Sequence, residues 1–314
     1  MVFSVEKQGV EMLDDASLEN LALQGVTAIS VPYDFIETAP IGVIKERASA
    51  LAAHGIKADT SHPRFGSYNT ENSLVNQYDI PRKRYFEQLK FGFERLSILG
   101  VRVAPLHTGG CCTPSAPDWA LELCAESIFA ILETAKDCGL LLALENTFYY
   151  DPMRWDGAAP AAVNGRPKGV SDIEYDDIDK LCRLIDTIAS PNVKGCFDAG
   201  HAHYLGSLAG DHEKMGGRIA LYHIHDNNRA YDMHLTPGYG TLNWEELGRL
   251  MMGNEAASPF FIEASPWTEN GYGLMLRQTQ ALLSGCRNGE SRRCLKCGCM
   301  LISDDSGDIC GCNQ

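Results

Sequence analysis

Short apolar runs alternate with longer stretches of helical period along the chain. Val2–Val5, Thr27–Val31, Ile56–Thr60, Val101–Leu106, Leu140–Leu144, Val193–Phe197, Ile219–Ile224 and Phe260–Ile262 have the length and aliphatic character of strands. Ser17–Gln24, Ile41–Ala53, Arg82–Leu99, Asp118–Asp137, Tyr175–Ile188, Trp244–Met252 and Tyr272–Leu283 read as helices. His54-Gly55, Gly100 and Gly139 supply stop signals after three of them. Such alternation calls for parallel strands joined by right-handed crossovers. Eight units closing on themselves predict an α/β fold, a (β/α)8 barrel over residues 1–285. An open doubly wound sheet is the competing architecture, disfavoured because no strand is followed by a G-x-G-x-x-G turn. Residues 148–174, rich in Pro, Gly and Ala, read as a rim loop after the fifth strand. The small and charged residues from Gly285 to Arg293 read as a linker into a separate cysteine-rich segment, 286–314.

The polar positions sharpen this picture. Strand three ends in Ser61-His62, strand four in Leu106-His107, and strand five in Leu144-Glu145-Asn146. Strand six ends in Phe197-Asp198-Ala199-Gly200-His201. Strand seven carries His223 and His225, then Asp226, and strand eight ends in Ile262-Glu263. In a closed parallel barrel the C-terminal strand ends share one opening, where active sites are built. Taken singly, each residue has a plainer explanation: a hydrogen-bonded rim histidine or a solvated loop carboxylate. Six strands ending this way differ, because crowded ionisable groups cost free energy unless a cation or mutual pairing compensates. Mixed oxygen and nitrogen ligands suit zinc, manganese, cobalt or iron(II); a magnesium or calcium site would show less imidazole. Downstream of strand seven, Asp232 and His234 offer two more ligands. Pro237-Gly238-Tyr239-Gly240 is a turn that brings backbone close to a neighbour.

Composition narrows the partners. Of 314 residues, 41 are Asp or Glu and 27 are Lys or Arg, a formal charge of −14. Duplex-binding proteins draw most of their affinity from phosphate contacts and need a basic excess. The balance therefore argues against nucleic acid and against an anionic membrane surface. No run reaches the ~20 apolar residues of a membrane helix. Met1–Lys7 lacks the basic and apolar regions of a signal peptide, so the expectation is a cytoplasmic protein. Five of the 12 cysteines fall in the last 21 residues, whereas Cys124, Cys138, Cys182 and Cys196 sit in apolar stretches. There a reduced thiol packs as a small hydrophobe.

Leu144-Glu145-Asn146, Phe197-Asp198-x-Gly-His201, His223-Ile-His-Asp226-Asn227, Asp232-x-His234-x-x-Pro-Gly-x-Gly-x-x-x-Trp244 and Phe261-Ile-Glu263 together resemble the xylose-isomerase-like TIM-barrel superfamily, across roughly residues 1–285. That superfamily contains sugar-phosphate isomerases and epimerases, inosose dehydratases and type-IV abasic-site endonucleases. For its isomerase and epimerase branch, the resemblance implies one divalent ion held from strands five to eight, here by Glu145, Asp198, His223 and Glu263. His223 is preferred to His225 because the family pattern places an Asp three residues after the ligand, here Asp226. His201 and Arg229 would then contact substrate oxygens. The endonuclease branch uses further ligands for a three-metal cluster, and His62, His107, Asp232 and His234 match those positions beside His201.

On the sugar reading, the metal acidifies a C–H beside chelated carbonyl and hydroxyl oxygens. Glu145 and Glu263, ligands and acid/base groups at once, would move the proton on a sugar or sugar phosphate. The alternatives are phosphodiester hydrolysis at abasic DNA, supported by the histidines and opposed by the charge, and a non-catalytic sugar-binding barrel. Barrels of this kind often form dimers or tetramers, so a homo-oligomer fits the resemblance. In the last segment, Cys294-x-x-Cys297-Gly-Cys299 and Cys310-Gly-Cys312 flank a short apolar hairpin and resemble a small zinc ribbon. Cys294, Cys297, Cys310 and Cys312 are its expected ligands for structural zinc, with Cys299 spare. The second knuckle departs from C-x-x-C, and a disordered or disulfide-linked tail is the alternative.

Overall fold

Eight strands, β1 (Phe3–Glu6), β2 (Ala28–Ser30), β3 (Lys57–Thr60), β4 (Val103–His107), β5 (Leu141–Glu145), β6 (Val193–Asp198), β7 (Ile219–Ile224) and β8 (Phe260–Ile262), pair side by side in chain order. Each pairing is parallel, and β8 returns to β1 with Phe260 opposite Phe3, so the barrel closes. The computed structural model describes residues 3–6, 13–66, 70–113, 116–147, 162–163, 166–167, 177–229, 232–254, 260–266, 271–285, 302–304 and 307–309.

The helices among these residues are α1 (Asp15–Leu23), α2 (Tyr33–Thr38), α3 (Ile41–Ala53), α4 (Asp79–Leu99), α5 (Asp118–Asp137), α6 (Ile178–Ile188), α7 (Ala199–Leu205), α8 (Leu208–Met215), α9 (Trp244–Met252) and α10 (Tyr272–Gly285). The hydrophobic pattern anticipates all but α2, α7 and α8, which are too short to display a helical period. Side-chain caps set several starts. Asp14 accepts from Ser17 N–H, Asp177 from Asp179 and Lys180, and Asn243 from Glu246. α4 begins three residues before the predicted Arg82. Pro81 is tolerated there because first-turn N–H groups have no intrahelical partner. It ends at Gly100, whose φ of 80° is left-handed.

Strand alternation sorts side chains into two apolar sets. Val103, Ala143, Cys196, Leu221 and Phe261 form a small cluster inside the barrel, with Leu141 against it. Leu106, Leu142, Leu144, Phe197, Tyr222, Ile224 and Ile262 belong to the larger layer under the helices. Cys111, Cys112, Cys124, Cys182 and Cys196 are buried free thiols, and Cys138 is half-buried. This matches their expected packing role.

Within the expected rim loop, Ala162–Val163 pairs antiparallel with Arg166–Pro167; the rest of 148–174 lies outside the described residues. In the last segment, Ile302–Asp304 pairs antiparallel with Gly307–Ile309, and Ile302 faces Ile309 where the pattern predicts a hairpin. Cys294, Cys297, Cys299, Cys310 and Cys312 lie outside the described residues. Among the described residues, no helix is long and apolar enough to cross a membrane.

Candidate metal centre

Ala143, Cys196, Leu221 and Phe261 face the barrel interior, and two residues further along their strands stand Glu145, Asp198, His223 and Glu263. A period of two keeps both sets on the inward face, the second set one layer nearer the C-terminal opening. The four polar residues bring ligand atoms within 4.8 Å of one another. His223 Nδ1 is 3.0 Å from Glu263 Oε2, 3.2 Å from Glu145 Oε1 and 3.8 Å from Asp198 Oδ2. Asp198 also starts α7, its Oδ1 accepting the His201 backbone N–H at 2.6 Å, which leaves Oδ2 turned to the centre.

Two further groups flank this one. His62 and His107 place Nε2 at 3.3 and 3.5 Å from Glu145 Oε2, so Glu145 faces two groups with its two oxygens. On the other side His201, His225, Asp232 and His234 converge. His225 Nε2 is 3.2 Å from Asp198 Oδ1 and 3.5 Å from Asp232 Oδ1, and His234 Nε2 is 2.7 Å from Asp232 Oδ2. His225, set aside in favour of His223 on sequence grounds, thus belongs to a different group rather than to none. Arg229 stands outside all three. Its φ is 65°, and its guanidinium lies beside His203, whose pKa burial and that charge push down to about 4.

The histidine tautomers are set from outside the cluster. Nδ1 of His62 meets Pro63 O at 2.9 Å, Nδ1 of His201 meets Asn146 O at 2.9 Å, and Nδ1 of His234 meets Glu263 O at 2.8 Å. A carbonyl accepts, so each Nδ1 donates and each Nε2 faces a carboxylate of the centre, where a bound cation would take its lone pair in place of a proton. This is the outer-shell arrangement typical of metal-binding histidines.

Charge in the centre is tightly balanced. Burial pushes the Glu145 carboxyl up, but His223 and His107 override it and hold it well below the usual range. Glu263, half-buried, is pushed up by that burial but brought down to about 2 by His223. Burial disfavours protonated His201, yet Asp198 and Asp232 raise its pKa well above the ordinary value. Asp232 lifts His234 against burial to about 10. His107 goes the other way because its burial outweighs Glu145. Both glutamates therefore stay ionised at neutral pH.

Three features escaped the sequence reading. Asn146 clamps β5 to β6: its Oδ1 accepts the Asp198 N–H at 2.6 Å and its Nδ2 donates to Asp198 O at 3.0 Å. Asp226, expected at the opening, turns instead to the following turn. It accepts N–H groups from Asn227, Gly238, Leu242 and the Trp244 indole at 2.9–3.0 Å. A carboxylate that must satisfy buried amides cannot also face a ligand. Gly200 is required because a Cβ there would run into the His225 ring. The Asp-x-Gly-His spacing carried that last signal without its reason.

The donor set fits a divalent cation. Asp198 Oδ2, His223 Nε2, both His225 ring nitrogens, Asp232 Oδ1 and Glu263 Oε2 are buried without a hydrogen-bond partner among the described residues. Several sit within ion-pair distance of one another but lack hydrogen-bond geometry. Lone pairs that converge without shared protons suit a metal ion better than a hydrogen-bond network.

The fold recurs among solved proteins. A D-tagatose 3-epimerase-like protein superposes with a TM-score of 0.66 at 20% identity, covering 92% of this chain and 99% of that one. 3-Keto-D-glucoside 4-epimerase YcjR of E. coli gives 0.66 at 14% identity, with 89% and 99% covered. The IOLI protein, solved with a zinc atom, gives 0.67 at 14% identity, with 91% and 99% covered. At these identities the likeness is one of fold. Among curated sequences, MJ1311 of Methanocaldococcus jannaschii is 32% identical over 120 residues, 37% of this chain and 34% of that protein. Protein y4fM of Sinorhizobium fredii is 34% identical over 83 residues, 26% of each chain. With a family model matched across residues 18–276, the chain belongs to the xylose isomerase-like TIM barrel family.

Proposed function

We propose that the chain is a divalent-metal-dependent isomerase or epimerase acting on a sugar or sugar phosphate. The observation that carries this reading is the convergence of Glu145, Asp198, His223 and Glu263 at the barrel opening. Those four residues would hold zinc, manganese, cobalt or iron(II). The ion would supply Lewis acidity, easing the negative charge that develops on a carbonyl oxygen when the neighbouring C–H loses its proton. Glu145 and Glu263, both ionised, would take that proton and return it. Asp198 and His223 position the site, since neither is solvent-exposed and both are tied into strand ends. His201, fixed by Asn146, would hold a substrate oxygen through Nε2. Arg229, beyond the ligand groups, is the candidate for an outlying hydroxyl or phosphate. The structural neighbours named for 3- and 4-epimerases of sugars support this class.

A second reading, metal-dependent phosphodiester hydrolysis, is favoured by the two flanking groups, His62–His107–Glu145 and His201–His225–Asp232–His234. The net charge of −14 weighs against a DNA substrate. Metal analysis after chelation and reloading separates the two: one ion per barrel favours the isomerase, three the hydrolase. A ketose incubated in deuterated water should then acquire deuterium at the carbon beside its carbonyl. No exchange across a panel of ketoses and their phosphates would remove the isomerase reading. A structural zinc on Cys294, Cys297, Cys310 and Cys312, with 286–314 as a unit apart from the barrel, is a separate proposal resting on spacing. It adds to any count of bound zinc.

A further inference from the structure

The ladder between β5 and β6 runs out just short of the metal centre. Its last paired residues are Glu145 and Cys196, and the Asn146 N–H still reaches Cys196 O at 3.3 Å. β5 ends at Glu145, whereas β6 continues to Asp198. Both backbone groups of Asp198 are nonetheless paired, by a side chain. Asn146 Oδ1 accepts the Asp198 N–H at 2.6 Å, and Asn146 Nδ2 donates to Asp198 O at 3.0 Å. In a parallel ladder the N–H and C=O of one residue bond to the same neighbouring strand, so the planar amide stands where β5 would have supplied its next backbone groups. Asn146 and Asp198 are both buried, so water cannot take over either bond.

The residues joined this way carry the candidate ligands. Glu145 adjoins Asn146, and its Oε1 lies 3.2 Å from His223 Nδ1. Asp198 Oδ2 lies 3.8 Å from the same nitrogen. Two carboxylates converging on one point repel until a cation joins them, and that repulsion acts to part β5 from β6. A neutral amide opposes the parting without adding charge. The Asn146 backbone carbonyl also takes the Nδ1 hydrogen of His201 at 2.9 Å. We propose that Asn146 is a positioning residue of the metal centre, whose side-chain amide holds Glu145 and Asp198 at the separation a shared cation needs. This rests on the metal reading above and adds to it the device that keeps the site assembled. Linkage makes the effect mutual: if the clamp favours the cation, the cation must tighten the clamp by the same factor.

The test uses the full-length protein with zinc as the only added ligand. Barrel zinc is the uptake that H223A lacks, since H223A keeps the tail cysteines. In the wild type, zinc should slow the exchange of the Asn146 side-chain amide hydrogens with solvent by about 10-fold or more, and in H223A it should leave that exchange unchanged. N146A should weaken barrel zinc affinity by about 10–100-fold, the usual effect of losing an outer partner. N146L, which keeps the volume and loses the amide, should be weakened as much. Either variant binding barrel zinc as tightly as the wild type, or Asn146 exchange indifferent to zinc, overturns the inference alone. No barrel zinc in the wild type overturns the metal reading and this inference together. Should both variants fail to fold, the wild-type exchange decides.

Discussion

The same strands build two unlike layers, and their contrast locates function. Ala143, Cys196, Leu221 and Phe261 plug the barrel interior, while Glu145, Asp198, His223 and Glu263, two residues on, crowd four ionisable groups at the opening. The lower layer buries apolar surface and asks nothing of solvent. The upper layer leaves lone pairs without partners, an arrangement that loses stability unless a cation or substrate occupies it. One layer is paid for by the other, and residues that break the pattern of the fold mark the place where chemistry happens.

The sharpest way to break this contrast is to remove charge from the upper layer while keeping its shape. E145Q and E263Q should each lower turnover by about 10²–10⁴-fold, the usual contribution of a positioned acid or base. The unfolding midpoint of the metal-free protein should fall too, because histidines hold each carboxylate below its usual pKa and lose their partner with it. Steady-state assays alongside thermal melts check both halves. Near wild-type turnover in either variant would remove its assigned role.

Truncation in the lower layer should cost stability while largely sparing turnover. Phe261 is 2% exposed and packs against Val103, Ala143, Cys196 and Leu221. F261A should cost about 3–5 kcal/mol in unfolding free energy through lost burial and a cavity. Turnover per folded molecule should fall far less than in E145Q, because Glu263 is still anchored by the β7–β8 ladder. Denaturant unfolding with an active-site titration measures both. Equal losses of stability and turnover would mean that the two layers are not separable.

Much of this contrast was legible in the chain. Each run of β4 through β8 carries a polar residue at or beside its C-terminal end, so a parallel-barrel reading places His107, Glu145, Asp198, His223 and Glu263 at one opening before any coordinates are known. What stayed hidden was direction and division of labour. Asp226 follows His225 by one residue, and strand alternation turns it away to serve four N–H donors of the next turn. The three histidine-rich groups are separated by which oxygen of Glu145 and Asp198 each one faces, a matter of rotamers rather than spacing. The helices α2, α7 and α8 were hidden for a simpler reason: eight residues or fewer carry too few positions for a periodicity to stand out.

His212 offers the finest comparison, a histidine of the same fold placed away from the opening. It lies on α8, 7% exposed, with Nε2 2.7 Å from Tyr222 Oη and its ring edge-on to Phe197. Burial alone pushes its pKa down, whereas carboxylates at the opening push His201 up against burial. The folded protein therefore prefers His212 neutral. Below pH about 6.5 the unfolded chain binds a proton that the folded chain resists, so stability falls as pH drops through that value. In H212N this contribution is gone. Wild type minus H212N stability, measured by denaturant unfolding from about pH 7.5 down to about pH 5.5, should decline toward acid. The decline should be the smallest of the three effects. A difference that is flat in pH, or that grows toward acid, would mean that His212 is not held neutral and that burial at this position does not outweigh its hydrogen bond.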